Sequence, residues 1–203
     1  MLKSWGLLNS AYLALLPKRV DAMSSRDFRP ISLNYNFAKL VTKMLANRLG
    51  PHLQELVAAN QSAFVRGRSI HDNFMLVQHS TKSLHKKKVS SLFLKLDISK
   101  AFDSVSWAFL SEVLSHLGFG PVWRSMISNL LTSSSTQVLL NGSPGIPIKH
   151  RRGLRQGDPL SPMLFVLVMD VLNSLFKLAE NRGCCIDWRA LIFETGCPFM
   201  LMM

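Results

Sequence analysis

Ser91–Asp97 reads Ser-Leu-Phe-Leu-Lys-Leu-Asp, a short apolar strand that ends in an acid, and Ala101-Phe102-Asp103 follows it closely. A carboxylate at the end of a buried strand costs free energy unless it is paired or holds a metal. Phosphoryl transfer calls for one there, because metal ions must hold both the attacking and the leaving oxygens. A strand-end aspartate that makes a turn, with Asp103 capping the next helix, satisfies the same pattern. The stretch alone leaves both readings open.

A second stretch, Arg151-Arg-Gly-Leu-Arg155-Gln156-Gly157-Asp158-Pro159-Leu-Ser161-Pro162, sets glycines on both sides of a polar, cationic turn. Glycine lets a backbone approach a ligand closely. Arginines such as Arg152 and Arg155 can hold phosphate, and a glutamine such as Gln156 can read a base edge or position a nucleotide. By itself the stretch reads equally as a loop entering a helix, with Pro159 in its first turn.

The remaining pattern mixes strands and helices without regular alternation, which predicts an α+β fold. Ala11–Leu16 and Arg29–Leu33 read as strands, and Pro30 marks an edge or first position. Phe37, Leu40, Val41, Met44, Leu45 and Leu49 follow helical spacing from Asn36, and Pro51 is expected to begin a second helix. Further helices are expected over Ile70–Leu84, Trp107–Leu117, Val122–Leu131 and Pro159–Ala179. Thr136–Leu140 and Ile146–Lys149, joined through Asn141-Gly142, read as a hairpin.

With 203 residues, 48% of them hydrophobic, one substantial core is expected. The 24 basic against 12 acidic residues give a net charge of +12, which favours a polyanion as partner, nucleic acid above all. No uninterrupted apolar run of about 18 residues is present, so no membrane partner is expected. No targeting signal is read, which leaves an intracellular location, nuclear or cytoplasmic. Cys184, Cys185 and Cys197 form neither a disulfide framework nor a zinc set. The six histidines show no ligand spacing.

Taken together the two stretches resemble the A and B boxes of reverse transcriptases from non-LTR retrotransposons. These are Lys-Leu-Asp97-Ile98-Ser-Lys-Ala-Phe102-Asp103 and Arg152-Gly-Leu-Arg155-Gln156-Gly157-Asp158-Pro-Leu-Ser-Pro. Asp27-Phe-Arg29-Pro-Ile-Ser-Leu33, Leu45-Ala-Asn-Arg-Leu49 and Gln61-Ser-Ala-Phe-Val-Arg66-Gly-Arg68-Ser-Ile-His-Asp-Asn73 resemble fingers-side boxes, in order. The resemblance runs from about Asn9 to about Arg182 and is nearest to elements abundant in plant genomes.

It implies an RNA-directed DNA polymerase acting on an RNA template, a DNA primer and deoxynucleoside triphosphates, with two Mg²⁺ ions. Asp97 would be the first metal-binding carboxylate, beside the backbone carbonyl of Ile98. Phe102 would sit under the incoming sugar and exclude a 2′-hydroxyl. Gln156 and Gly157 would line the nucleotide pocket, and Arg29 and Lys18 would meet the triphosphate. Arg66, Arg68, Arg152 and Arg155 would contact nucleic acid, where phosphate contacts position rather than specify. The implied divisions are a fingers portion over 1–90, a partial palm over 91–183 and an aberrant tail over 184–203, with the thumb outside this sequence.

The family's next box, an aromatic-Ala-Asp-Asp turn, should fall near Met200, where the chain reads Phe199-Met-Leu-Met-Met203. Adjacent methionine codons contain an aspartate codon in the frame offset by two nucleotides. Shifting this segment that way permits Tyr-Ala-Asp-Asp, so a frame-shifted tail is one expectation. A diverged but native tail is the other, and it would be poor material for a strand pair, leaving the A-box strand without sheet partners. On either expectation the chain does not polymerise.

Overall fold

The computed structural model describes residues 9–24, 27–88, 93–96, 98, 100–182, 190–192 and 199–202. Asp97 and the three cysteines lie outside them. The described strands and helices alternate irregularly, as expected of an α+β chain, and fall into two compact units, each built from two separate stretches.

The first unit comprises residues 1–46 and 102–161. Its sheet begins with β1 (Ser10–Pro17) and β2 (Phe28–Asn34), which pair antiparallel with Leu16 opposite Arg29. β1 also pairs in parallel with β4 (Ser135–Leu140), Ser10 lying opposite Ser135. The short strands β5 (Ser143–Pro144) and β6 (Ile148–Lys149) fold back on β4. Asn141 and Gly142 both have positive φ, 49° and 81°, the turn that matches strand twist and that Asn-Gly supplies.

α3 (Ala101–Ser104) straddles the boundary between the units, while α4 (Trp107–His116) and α5 (Pro121–Thr132) belong wholly to the first. Ser106 caps α4 by accepting from the Phe109 amide, and Gly118, at φ 82°, lets the chain leave it. Pro121 opens α5 at a position where its missing N–H costs nothing. Leu110, Val113, Leu114 and Ile127 are buried along α4 and α5.

The second unit comprises residues 47–101 and 162–203. α1 (Asn36–Leu56) crosses the boundary between units as one helix of 21 residues with Pro51 inside it. The sequence predicts two helices here. Proline removes one helical hydrogen bond, but Leu45, Leu49 and Leu53 repeat at four-residue spacing, and all are buried. The burial of that continuous face outweighs the break.

α2 (Ile70–Lys86) starts at Ser69, whose hydroxyl accepts from the His71 amide. α6 (Ser161–Asn181) buries Leu164, Phe165, Val166, Leu167 and Asn173. By length and composition alone, its residues Ser161–Ala179 are apolar enough to cross a membrane, although Asp170, Asn173 and Lys177 interrupt the run. In the structure Asp170 accepts from the Ala58 amide at 3.1 Å, and Asn173 accepts from the Asn60 side chain at 3.3 Å.

β3 (Phe93–Leu96), β7 (Ala190–Ile192) and β8 (Phe199–Met202) form a second sheet in the order β3-β8-β7. β8 runs antiparallel to β3 with Phe199 opposite Leu96. If the tail is diverged but native, the sequence predicts poor strand material and a β3 without partners, and the structure differs from that expectation. A ladder is made by main-chain groups, and Phe-Met-Leu-Met, free of proline and glycine, satisfies its demands.

Leu53 is fully buried. Leu53→Ala is expected to lower the unfolding free energy by about 2–5 kcal/mol in a denaturant titration, through the cavity it leaves.

Candidate functional site

The loop between β6 and α6 is held from two sides within the first unit. On one side the Gly153 amide donates to the Val105 carbonyl and the Leu154 amide to the Phe102 carbonyl, both at 2.8 Å. The Trp107 indole N–H donates to the Gly153 carbonyl at 2.8 Å. Gly153 has φ 85°, and a Cβ there would lie 2.8 Å from the Asp103 carbonyl oxygen. Only glycine allows this approach, so the loop lies directly against the Phe102-Asp103 segment.

On the other side stands Arg155. Its guanidinium donates to the Asn9 side-chain oxygen at 2.7 Å, to the Asn9 carbonyl, and to the Ser135 carbonyl at 3.3 Å. The Asn9 amide group in turn donates to the Leu130 carbonyl at 2.6 Å and the Ser133 hydroxyl at 2.8 Å. One cation therefore ties together the start of β1, the end of α5, the start of β4 and the loop.

Gln156 and Gly157 follow at once, exposed, with Gly157 at φ 84°. Asp158 then turns the chain into α6 by accepting from the Leu160 amide at 2.8 Å. Burial raises the Asp158 carboxyl above its ordinary range, against opposing hydrogen bonds from Leu160 and Thr42.

Beside this loop a cleft of about 390 Å³ opens, lined among others by Ser32, Asp103, Lys149, His150, Arg152 and Gln156. The His150 Nε2 lies 2.6 Å from the Thr136 hydroxyl. Burial holds the His150 ring below its ordinary pKa, the Arg155 charge adds to this, and Asp103 opposes it. The cleft thus offers cations, amide and hydroxyl groups, an imidazole and the Asp103 carboxylate, a set suited to a polar, hydrogen-bonding ligand.

Of the residues singled out in the sequence, Gln156 and Arg152 meet in this cleft. Phe102 is half-buried and contributes the carbonyl that accepts from Leu154. Lys18 and Arg29 are exposed at the same end of the β1–β2 pair, where the Lys18 amide donates to the Asp27 carbonyl at 2.7 Å. Ile98 is exposed in the second unit.

Arg66 is exposed, whereas Arg68 donates to the carbonyls of Ala58, Gln61 and Gln54 at 2.6, 2.7 and 2.9 Å. The sequence assigns Arg68 and Arg155 to nucleic acid; in the structure Arg68 donates to three main-chain carbonyls, and Arg155, which also lines the cleft, donates to the Asn9 side chain and to the carbonyls of Asn9 and Ser135. Each supplies the rigid fork of donors that a converging set of carbonyls requires.

Sequence reasoning missed Asn9, Trp107, Lys149 and His150. Asn9 meets partners 121 to 146 residues away, so no local pattern reveals it. Trp107 reads as core in the sequence, yet its indole nitrogen supports the loop.

Among the described residues, no three His, Cys, Asp or Glu side chains converge on a metal site. β8, the strand paired with β3, carries no acid in Phe199–Met202.

The model of the family described as reverse transcriptase (RNA-dependent DNA polymerase) matches residues 16–187. The chain belongs to the reverse transcriptase family. It is 36% identical over 167 residues to the transposon TX1 uncharacterized 149 kDa protein of Xenopus laevis, covering 82% of this chain and 13% of that protein. It is 34% identical over 170 residues to the retrovirus-related Pol polyprotein from type-1 retrotransposable element R2 of Nasonia vitripennis, covering 83% and 16%. This reverse transcriptase domain is therefore of the non-LTR retrotransposon kind, and it spans less than a fifth of those two relatives.

Its fold is similar to that of an apo telomerase of Candida tropicalis truncated from its C-terminal domain, with a TM-score of 0.59 and 13% identity. That likeness covers 97% of this chain and 44% of the telomerase chain.

Two expectations follow from the loop. Gly153→Ala adds a steric clash to a positive φ and is expected to destabilise the chain by about 1–3 kcal/mol in denaturant titrations. His150 binds fewer protons folded than unfolded, so stability present above pH 6.5 is lost as pH falls below it. His150→Asn is expected to flatten that part of the stability–pH curve relative to the unsubstituted chain.

Proposed function

We propose that this chain carries the fingers and part of the palm of an RNA-directed DNA polymerase from a non-LTR retrotransposon of plant-like type. By ancestry the reaction is the addition of deoxynucleotides to the 3′-hydroxyl of a DNA primer on an RNA template. Residues 1–90 correspond to the fingers portion, 91–183 to a partial palm, and 184–203 to an aberrant tail. The observation that carries the reading is the loop Gly153–Gly157, pinned against Phe102-Asp103 on one side and on Asn9 and Ser135 on the other. Preorganised positioning of this kind is what nucleotidyl transfer demands of a protein.

In this reading Gln156 and Gly157 face the nucleotide, and Phe102 lies under its sugar. Lys18 and Arg29 meet the triphosphate, and Arg66 and Arg152 meet nucleic-acid phosphate. Lys149 and His150 lie beside Arg152 and Gln156 at the cleft. Reverse transcriptases use divalent metals. Mg²⁺ would fall to Asp97 and the Ile98 carbonyl, but the second carboxylate is missing, which leaves the two-metal set incomplete.

The tail stands where the family's Ala-Asp-Asp turn is expected, and the pairing of β8 with β3 supports that correspondence. Phe-Met-Leu-Met in place of the acids makes the chain, by itself, incapable of polymerisation. It retains binding of RNA inside the cell, in the nucleus or cytoplasm, carried by its net charge of +12.

Primer extension on an RNA template with the purified chain, alongside a version carrying Tyr-Ala-Asp-Asp at 199–202, tests this. No extension by the native chain is expected, together with RNA binding that weakens steeply with salt. Extension by the native chain, abolished by Asp97→Ala, would falsify the reading.

A further inference from the structure

The segment between α1 and α2 contains a residue in an unfavourable conformation. Gln61, Ser62, Ala63 and Val65 are buried, yet Phe64 in their midst is 49% exposed and has φ 60°. A bulky L-residue in the left-handed region is uncommon, because its Cβ crowds the following carbonyl. Phenylalanine gains by burial, and here the small Ala63 and the Val65 take the inner positions while Phe64 is left half-exposed.

The conformation is imposed by its surroundings. Arg68 clamps the carbonyls of Gln54, Ala58 and Gln61, and the Gln61 side-chain amide donates to the Ala63 carbonyl at 3.2 Å. The Arg68 amide donates to the Val65 carbonyl at 3.2 Å. The feet of the segment are fixed by Asp170, which accepts from the Ala58 amide, and by Asn73, which donates to the Asn60 carbonyl at 3.1 Å. Strain persists only where a structure over-determines it, and such places concentrate at binding sites.

Two residues on, Arg66 is exposed, and Gly67 turns the chain at φ 79°. One turn thus carries an exposed aromatic ring and an exposed guanidinium two residues apart. An unstacked nucleobase matches the ring, and the phosphate beside it matches the cation. A duplex offers no free base face. Since the turn is already ordered, binding costs little further ordering.

We propose that Phe64 is a stacking platform for a nucleobase of single-stranded nucleic acid, with Arg66 holding the adjacent phosphate. This rests on the nucleic-acid-binding reading above and deepens it.

The test is fluorescence anisotropy with a short fluorescein-labelled oligouridylate at fixed salt, using the full chain, Phe64→Gly, Phe64→Trp and Arg66→Gln. A matching oligomer with abasic sites serves as control. Phe64→Gly relieves the strained φ, so it is expected to melt no lower than the native chain while binding roughly tenfold or more weakly. Phe64→Trp is expected to keep native affinity, and the Phe64→Gly deficit to vanish on the abasic oligomer. Arg66→Gln is expected to reduce the salt slope by about one phosphate's worth.

Equal binding by Phe64→Gly and the native chain overturns the stacking role and leaves the nucleic-acid reading standing. No binding by the native chain overturns both. A Phe64→Gly chain that melts well below the native one overturns the strain assignment on which the stacking role is built.

Discussion

Within the first unit, organisation turns on a single cation. Arg155 lies immediately before Gln156-Gly157, and its guanidinium, which burial makes a weaker cation than usual, donates to Asn9 and Ser135. A buried charge is costly unless its hydrogens find acceptors; the Asn9 side chain and the carbonyls of Asn9 and Ser135 accept from both terminal nitrogens, while the Nε is buried without a partner. Without this tie the loop would be held from the Phe102–Trp107 side alone. With it, the sheet formed by β1 and β4 and the end of α5 share one fixed point with the loop.

The second unit applies the same principle with a different arginine. Arg68 gathers three carbonyls from the end of α1 and the segment after it, while Asp170 and Asn173 on α6 receive that segment's amide and side-chain donors. Both arginines belong to boxes shared with polymerases, where an arginine invites assignment to phosphate. In both, geometry shows a support for the residues beside it. The exposed cations, Arg66 and Arg152, stand next to these supports, so each box pairs an inward arginine with an outward one. A basic composition therefore overstates the charge presented to a polyanion, because part of it is consumed in building the scaffold.

β1 to β4, most helices and the Asn141-Gly142 turn were legible in the sequence because they are set by local spacing and turn chemistry. Pro51 misled, since a proline weakens a helix locally while the face of Leu45, Leu49 and Leu53 is rewarded across the break. The helix over Pro159–Ala179 was legible from its apolar composition, and the structure has it as α6. Gln156 and Arg152, singled out through the resemblance, both line the cleft. The resemblance could not tell inward from outward arginines, nor find Asn9, Trp107 or His150, because their roles rest on partners distant in sequence. The tail formed strands against expectation because pairing asks for main-chain groups first, and catalytic acids are no part of that requirement.

The coupling between Asn9 and Arg155 tests the account most directly. A double-mutant cycle with Asn9→Ala, Arg155→Met and the combined variant, read by denaturant unfolding, isolates their interaction from the other bonds each makes. The account predicts a coupling of about 1–3 kcal/mol, as expected for hydrogen bonds from a charged group in a largely buried setting. Additivity within about 0.5 kcal/mol would contradict it, and would mean that the loop is positioned by the Phe102–Trp107 side alone.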